Sequence, residues 1–240
     1  RRKVYILVSN DLDTLPACYL VRRLRRGIRL IYDSHEYFTE VPELNGRKFV
    51  KTIWKVLEAR MVPGVDLAYT VNTTLAKMYS AKYGIPFRVV RNVPERNARK
   101  EEYPLPPEME NARWIIYQGA VNRDRGLEDM IDVLPELQDI KMIVAGSGDI
   151  IEELKRKVVQ KRLEEKVYFA GRIIPAMLRS LTAKAVLWVS LERKTSLNYY
   201  YALPNKIFDY IHAGIPVLSS SFPEMRNVVE GKRVGLTVEP

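Results

Sequence analysis

One cysteine, Cys18, stands in the whole chain. No internal disulfide is therefore available, and a solitary thiol fits a reducing cytoplasm. No apolar run approaches the ~20 residues that span a bilayer. Arg1, Arg2 and Lys3 precede an apolar stretch too short for the core of a secretory signal. Histidine is nearly absent, with only His35 and His212. Beyond the bare pair Asp11 and Asp13, no cluster shows metal-ligand spacing, so no metal is expected. No Gly-x-Gly-x-x-Gly follows a strand, and Gly146-Ser-Gly148 lacks the third glycine, which argues against a dinucleotide-dependent oxidoreductase. Acidic residues are the other shortage, 29 against 39 Lys and Arg, giving a formal charge of +10. Such an excess favours anionic partners: nucleotides, nucleic acid or acidic lipid headgroups.

What is present suits a folded protein. Apolar residues make up 47% of the 240, enough for one large or two small domains. The densest basic run, Arg22-Arg23-Leu24-Arg25-Arg26 with Arg29 behind it, lies on an expected helix that also carries Tyr19, Leu20 and Val21. It reads either as a solvated helix face or as contact with an anionic membrane surface, at about 1 kcal/mol per basic residue. Nucleic acid is not expected, because no recognised binding module accompanies the charge.

From Ala112 onward, apolar strands alternate with amphipathic helices: strands at 114–117, 141–145, 167–169, 185–189 and 235–238, helices at 126–137, 150–161 and 175–183. The first part has the same grammar, with strands at 4–8, 30–32, 67–71 and 88–91 and helices at 14–26, 47–61 and 74–83. Pro94 to Pro107, rich in Pro, Glu and Arg, is the linker candidate. The expected division is thus 1–93, a linker 94–111, and 112–240. Alternation of this kind argues for α/β domains with parallel sheets covered by helices on both faces. Ligands in such sheets gather at the carboxyl ends of the strands, so Gly119, Gly146, Gly171 and the region of Ser190 should share one rim.

The stretch 203–217, Leu-Pro-Asn-Lys-Ile-Phe-Asp-Tyr-Ile-His-Ala-Gly-Ile-Pro-Val, is the most informative. Pro204 and Asn205 open a helix, Ile207, Phe208, Tyr210 and Ile211 recur at helical spacing, and Gly214 closes it. The free N–H groups of such a helix start favour phosphate. Lys206 adds a mobile cation where it opposes the helix dipole, which suggests service to a ligand; the bland alternative is a solvated lysine. Arg123 and Arg125, in the turn Gly119-Ala-Val-Asn-Arg-Asp-Arg-Gly126, offer further cations, since guanidinium grips phosphate in two hydrogen bonds. Their bland alternative is a surface ion pair with Glu128 or Asp129. Gly146-Ser-Gly148 is either a plain turn or a close approach of backbone to a ligand. Glu224 opens another helix, which suits the dipole without any ligand. His35, flanked by Asp33 and Glu36, follows a strand end where a loop would face a cleft; His212 sits late in its helix and packs or caps.

The 203–217 stretch closely resembles the donor-site helix of retaining nucleotide-sugar glycosyltransferases of family four, which have the GT-B fold. The resemblance extends over nearly the whole chain through Asp11-Leu-Asp13-Thr-Leu-Pro, Tyr32-Asp-Ser-His-Glu-Tyr, Asn72-Thr, Arg91-Asn-Val-Pro and the Gly119–Gly126 turn. It implies two Rossmann-like parallel-sheet domains. The amino-terminal, acceptor-side one would be incomplete, because the chain enters midway and stops at Pro240 before the closing helices of that fold. It further implies transfer of a sugar from a nucleotide-diphosphate sugar to an acceptor, glycan or lipid-linked, without cofactor and with basic side chains rather than metal neutralising the departing phosphate. On this resemblance Asn205, Lys206, Arg125 and Arg123 serve the donor phosphates, Asp209 the ribose hydroxyls and His35 the donor sugar. Gly119, Gly146 and Glu224 become donor contacts. Two departures stand out. Tyr201 replaces the family's first glutamate of the donor helix, and Ala120 replaces an arginine after the first glycine. Asp11 and Asp13 repeat the acid-x-acid pattern of metal-holding transferases of another fold, and are taken here as loop and cap residues near the acceptor cleft. A nucleotide-sugar epimerase of the same architecture and a basic, non-catalytic binding module are the alternatives. The expected location is cytoplasmic, with or without membrane association.

Overall fold

The computed structural model describes residues 4–95 and 101–240; of the expected linker, 96–100 lie outside the described residues. The chain forms two compact units, one of Arg1–Asn92 with Thr195–Leu203, the other of Val93–Lys194 with Pro204–Pro240.

The first unit runs β1 (Ile6–Asn10), α1 (Asp11–Leu24), β2 (Arg29–Ser34), α2 (Lys48–Met61), β3 (Leu67–Thr70), α3 (Thr73–Tyr83) and β4 (Phe87–Val89). Its four strands pair in chain order and all in parallel, with Val8 opposite Ile31 and Asp33 opposite Tyr69. Apolar side chains of α1 and α3 bury against the sheet: Leu12, Leu15, Leu30, Tyr32, Leu75 and Tyr79 form the core. The Tyr79 ring stacks on Phe87 at 4.9 Å between centroids. Helix α1 starts at Asp11, ahead of the expected Thr14, whose hydroxyl instead donates to the Asn10 carbonyl at 2.7 Å. Helix α3 begins as its sequence asks, with the Asn72 side chain accepting from the Leu75 amide at 2.9 Å, and ends on left-handed Gly84.

The second unit continues with α4 (Pro107–Glu110), β5 (Arg113–Gln118), α5 (Leu127–Val133), β6 (Ile140–Ala145), α6 (Ile151–Gln160), β7 (Val167–Gly171), α7 (Pro175–Lys184) and β8 (Leu187–Ser190). After α8 (Leu197–Tyr201), which lies with the first unit, come α9 (Lys206–Ala213), β9 (Val217–Ser220), α10 (Pro223–Val229) and β10 (Gly235–Val238). Helix α5 is shorter than its apolar period suggests. Pro135, which lacks an N–H, turns its end into a 3₁₀ segment, 134–136. The six strands are parallel in the order β10-β9-β8-β5-β6-β7. Chain progress therefore reverses at β5: β6 and β7 build outward on one side, β8 to β10 on the other. A sheet of this order opens a crevice beyond the carboxyl ends of the strands at the reversal.

The excursion Thr195–Leu203 is fastened to the first unit by polar bonds. The Asn198 side chain accepts from the Tyr37 amide and donates to the Glu36 carboxylate, both at 2.9 Å, and Asn72 donates to the Tyr201 carbonyl at 2.8 Å. Tyr201, where the resembled family has a glutamate, packs its ring against the first unit's core.

Candidate active site

The crevice at the reversal point holds a cavity of about 490 Å³, a size suited to a nucleotide-sized ligand. Residues after β5 (Gly119, Ala120), after β6 (Gly146, Ser147) and after β7 (Arg172), together with Lys206 at the start of α9, line it. Of the expected rim, Gly119 and Gly146 line this cavity, whereas Gly171 and Ser190 do not.

Two glycines allow the rim to close. Gly119 and Gly146 have φ of 135° and 154°, a region that side chains rarely enter. The two loops press backbone to backbone. The Gly119 amide donates to the Ala145 carbonyl at 2.9 Å, and a Cβ built on Gly146 would lie 1.8 Å from the Gly119 oxygen. Gly146 therefore serves the fit of one loop on the other as well as lining the cavity. Opposite, the open edge of Gly119 faces the Lys206 ammonium, 3.4 Å from where a Cβ would stand.

Lys206 is not the mobile surface cation that its place in the first helical turn suggested. Its side chain is only 15% exposed. Its Nζ lies over the rings of Tyr117, at 4.7 Å from the centroid, and Trp188, at 5.4 Å. These rings come from β5 and β8, the strand pair at which the sheet order reverses, and their faces attract a cation. The nearest carboxylate is Glu192, with Oε1 at 3.7 Å from Nζ. Burial, opposed by Glu192 and reinforced by Arg125, pushes the Lys206 ammonium down to about 8.

Glu192 is almost fully buried and organises the neighbourhood. Its carboxylate accepts from the Ser190 hydroxyl at 2.7 Å, its main-chain carbonyl accepts from the Ser220 hydroxyl at 2.6 Å, and Arg125 Nη1 approaches Oε1 at 3.4 Å. Although burial disfavours its charge, Lys206, Ser190 and Arg125 together hold this carboxyl below the ordinary range. The glycine-flanked arginine turn and the start of α9 therefore converge on one carboxylate. Two cations and one anion leave a net positive charge beside the cavity, an arrangement able to receive an anion.

The other expected residues fall in different places. Arg123 is 62% exposed, pairs with Glu153 at 2.8 Å and is not among the residues that line the cavity; Glu128 and Asp129, the expected partners, do not hold it, and Asp129 is taken by Arg193 at 2.6 Å. Asn205 precedes α9 in helical conformation and makes no side-chain cap, so it does not open the helix in the expected way. Asp209 lies one turn into α9; burial raises its carboxyl, against the pull of Arg179 and His212. Glu224 is buried in the first turn of α10. In the first unit His35 follows β2, with Nε2 2.9 Å from Asp33 Oδ2 and its amide donating to Asp11 Oδ1 at 2.8 Å. Asp11, in left-handed backbone with φ of 58°, thus fixes the loop that carries His35. Among the described residues, no three His, Cys, Asp or Glu side chains are grouped to hold a metal. Part of the basic run on α1 is occupied internally: Arg22 binds Asp66 at 3.0 Å, and Arg23 lies over the Tyr19 ring at 5.3 Å. No helix of the described residues is long and apolar enough to cross a membrane.

Sequence reasoning missed Glu192, Tyr117 and Trp188. The two aromatic residues read as core in apolar strands, which they also are. Glu192, in Ser-Leu-Glu-Arg-Lys, carries only one faint signal, an acid two residues beyond a buried strand at the binding rim.

The family model for glycosyl transferases group 1 matches residues 112–240, just over half of the chain. The chain belongs to this family. Among curated relatives, the alpha-monoglucosyldiacylglycerol synthase of Streptococcus pneumoniae is 25% identical over 104 residues, 43% of this chain and 22% of that protein. An uncharacterized glycosyltransferase of Methanocaldococcus jannaschii is 24% identical over 134 residues, 55% of this chain and 33% of that one. The matches thus span a third or less of these relatives' length. In three dimensions the chain is similar to Anabaena HepE, solved in complex with UDP and glucose, with a TM-score of 0.75 and 17% identity over 98% of this chain and 64% of that one. Sucrose-phosphate synthase of Thermosynechococcus elongatus gives a TM-score of 0.75 and 16% identity, covering 98% and 61%. At these identities the likeness shows the fold alone: α/β, with two Rossmann-like parallel-sheet units of the GT-B kind.

Proposed function

We propose that this glycosyl transferase group 1 chain moves a sugar from a nucleotide-diphosphate sugar to an acceptor with retention of anomeric configuration. The second unit binds the donor, and the first serves the acceptor side. One observation carries the reading: a lysine ammonium at the switch-point crevice, lying over two aromatic rings, with an arginine on the same carboxylate. A protein keeps such a strained cation where an anion is to be met, and the departing nucleoside diphosphate is that anion. Lys206 and Arg125 are assigned to the diphosphate, with the backbone at Gly119 and Gly146 beside it. Asp209 is assigned to the ribose and His35 to catalysis at the sugar; their support is the family resemblance, together with the tethering of the His35 loop by Asp11. Asn205 and Glu224 remain donor contacts by the same resemblance. Arg123, turned to Glu153, is assigned no more than an outer role. The complexes of HepE with UDP, with UDP and glucose, and with UDP-glucose make uridine nucleotides the first donors to try. The acceptor is proposed to be a glycan or a lipid-linked group.

The test is a thermal-shift and calorimetric titration with UDP-, GDP- and ADP-sugars. At least one should raise the melting temperature; Arg125→Ala should abolish the shift and Arg123→Ala should leave most of it. Absence of any shift across the three nucleotides removes the donor assignment. With a productive donor and acceptor, the anomeric configuration of the product by NMR decides retention.

A further inference from the structure

We propose that Glu192 is a positioning residue for the donor phosphates: it gathers the Lys206 ammonium and the Arg125 guanidinium on one carboxylate and keeps Lys206 charged in the working pH range. The inference rests on the donor reading above and goes beyond it, since it assigns a role to a residue that would not itself touch the donor.

The geometry is that of a fixed counter-ion. Glu192 stands just past β8, and its two carboxylate oxygens both lie 2.7 Å from the Ser190 hydroxyl. The Ser220 hydroxyl, from β9, holds its main-chain oxygen at 2.6 Å. The carboxylate is therefore held by Ser190 and the backbone that carries it by Ser220, before any cation is considered. Oε1 then faces Arg125 at 3.4 Å and Lys206 at 3.7 Å, so both cations meet one oxygen. Two like charges this near each other would drive the weaker base, the lysine, to lose its proton. The remaining groups facing Lys206 do not replace the carboxylate. Tyr117 and Trp188 present ring faces, and Tyr210, stacked on Trp188 at 3.8 Å, is a buried phenol held neutral by desolvation. Arg172 lines the same cavity and adds positive charge. Glu192 is thus the anion that allows a buried lysine to remain an ammonium beside an arginine. Lys206 pushed down to about 8 agrees with this balance, burial and Arg125 lowering it and Glu192 raising it.

Two variants should displace the Lys206 titration in opposite directions, a signature that loss of packing does not produce. The ε-methylene resonances of labelled lysine are followed by NMR against pH in the unliganded protein, with the Lys206 signal assigned by its loss in Lys206→Met. Wild type should titrate near 8. Glu192→Gln should move the inflection acid-ward by about one unit or more, and Arg125→Gln should move it alkaline-ward. In parallel, UDP, GDP and ADP are titrated into wild type and Glu192→Gln at pH 6 and pH 8. The variant should bind about fivefold more weakly at pH 8 and nearly as wild type at pH 6. Equal weakening at both pH values, or an inflection that stays in place in Glu192→Gln, overturns the proposal. If Glu192→Gln fails to fold by circular dichroism, Arg125→Gln decides: an alkaline shift supports the shared carboxylate, and no shift overturns it. If no nucleotide binds wild type, the donor reading falls, while the NMR titration still settles what Glu192 does to Lys206.

Discussion

Replacing Lys206 by methionine should make the protein more stable while ending donor binding. The Lys206 side chain is 15% exposed, and its ammonium, pushed down from the ordinary 10.5 to about 8, reflects how far the fold disfavours the charge, with the help of Glu192 already included. At ~1.4 kcal/mol per unit this amounts to about 3 kcal/mol at neutral pH. Methionine keeps the stem's packing over Tyr117 and Trp188 and removes the charge. The gain should approach that figure, at about 2–4 °C in melting temperature per kcal/mol for a chain of this size. The pH dependence gives a second handle. Below pH 8 folded and unfolded chains both hold the proton and the full cost applies; between 8 and 10.5 only the unfolded chain holds it, so wild-type stability rises with pH in that window. Urea unfolding of wild type and Lys206→Met at pH 7, 8.5 and 10 isolates the effect, because other titrating groups cancel in the difference. The variant's advantage should be largest at pH 7 and fall to about a quarter of that by pH 10. A variant that is less stable at pH 7, or a difference that stays flat with pH, refutes the picture of a strained buried cation.

Two further substitutions test the frame around the site. Gly146→Ala places a Cβ 1.8 Å from the Gly119 oxygen, in backbone unsuited to alanine, and should destabilise by at least about 2 kcal/mol in urea unfolding and weaken donor binding; a neutral result would mean the two loops can part freely. Asn198→Ala deprives the Tyr37 amide and the Glu36 carboxylate of their partner and should cost about 1–3 kcal/mol. The Glu36 carboxyl is already raised by burial, against the lowering bond from Asn198, so the loss should be greater at pH 7 than at pH 4, where more of this carboxyl is protonated. Equal losses at the two pH values would show that the bond to Glu36 contributes little.

The architecture was legible because strand and helix periods are local. The apolar strands 114–117 and 141–145 became β5 and β6 nearly as read, and Asn72 and Gly84 bound α3 as their side chains dictate. Boundaries slipped where one residue's tertiary surroundings overruled its usual preference. Asp11, drawn to the His35 amide, carries α1 back to its own position, and Pro135 cuts α5 short. The site was legible in half. The glycine turn ending in Arg125 and the Pro-Asn-Lys helix start were both visible as candidates, and the fold brings Arg125 and Lys206 to one carboxylate, whereas Arg123 is paired with Glu153 of α6.

Composition, periodicity and turn residues by themselves determined two parallel α/β units and marked 119–126 and 203–217 as basic stretches at strand ends, since each of these is set by a few consecutive residues. Tertiary structure alone decided that Lys206 is buried, that Glu192 is its counter-ion, and that 195–203 returns to the first unit. The reason is the reversal of strand order at β5, which brings together Arg125 and Glu192, 67 residues apart, on one edge of the sheet. No local window of the sequence carries the order in which its strands are laid side by side, and the charge balance of the site follows from that order.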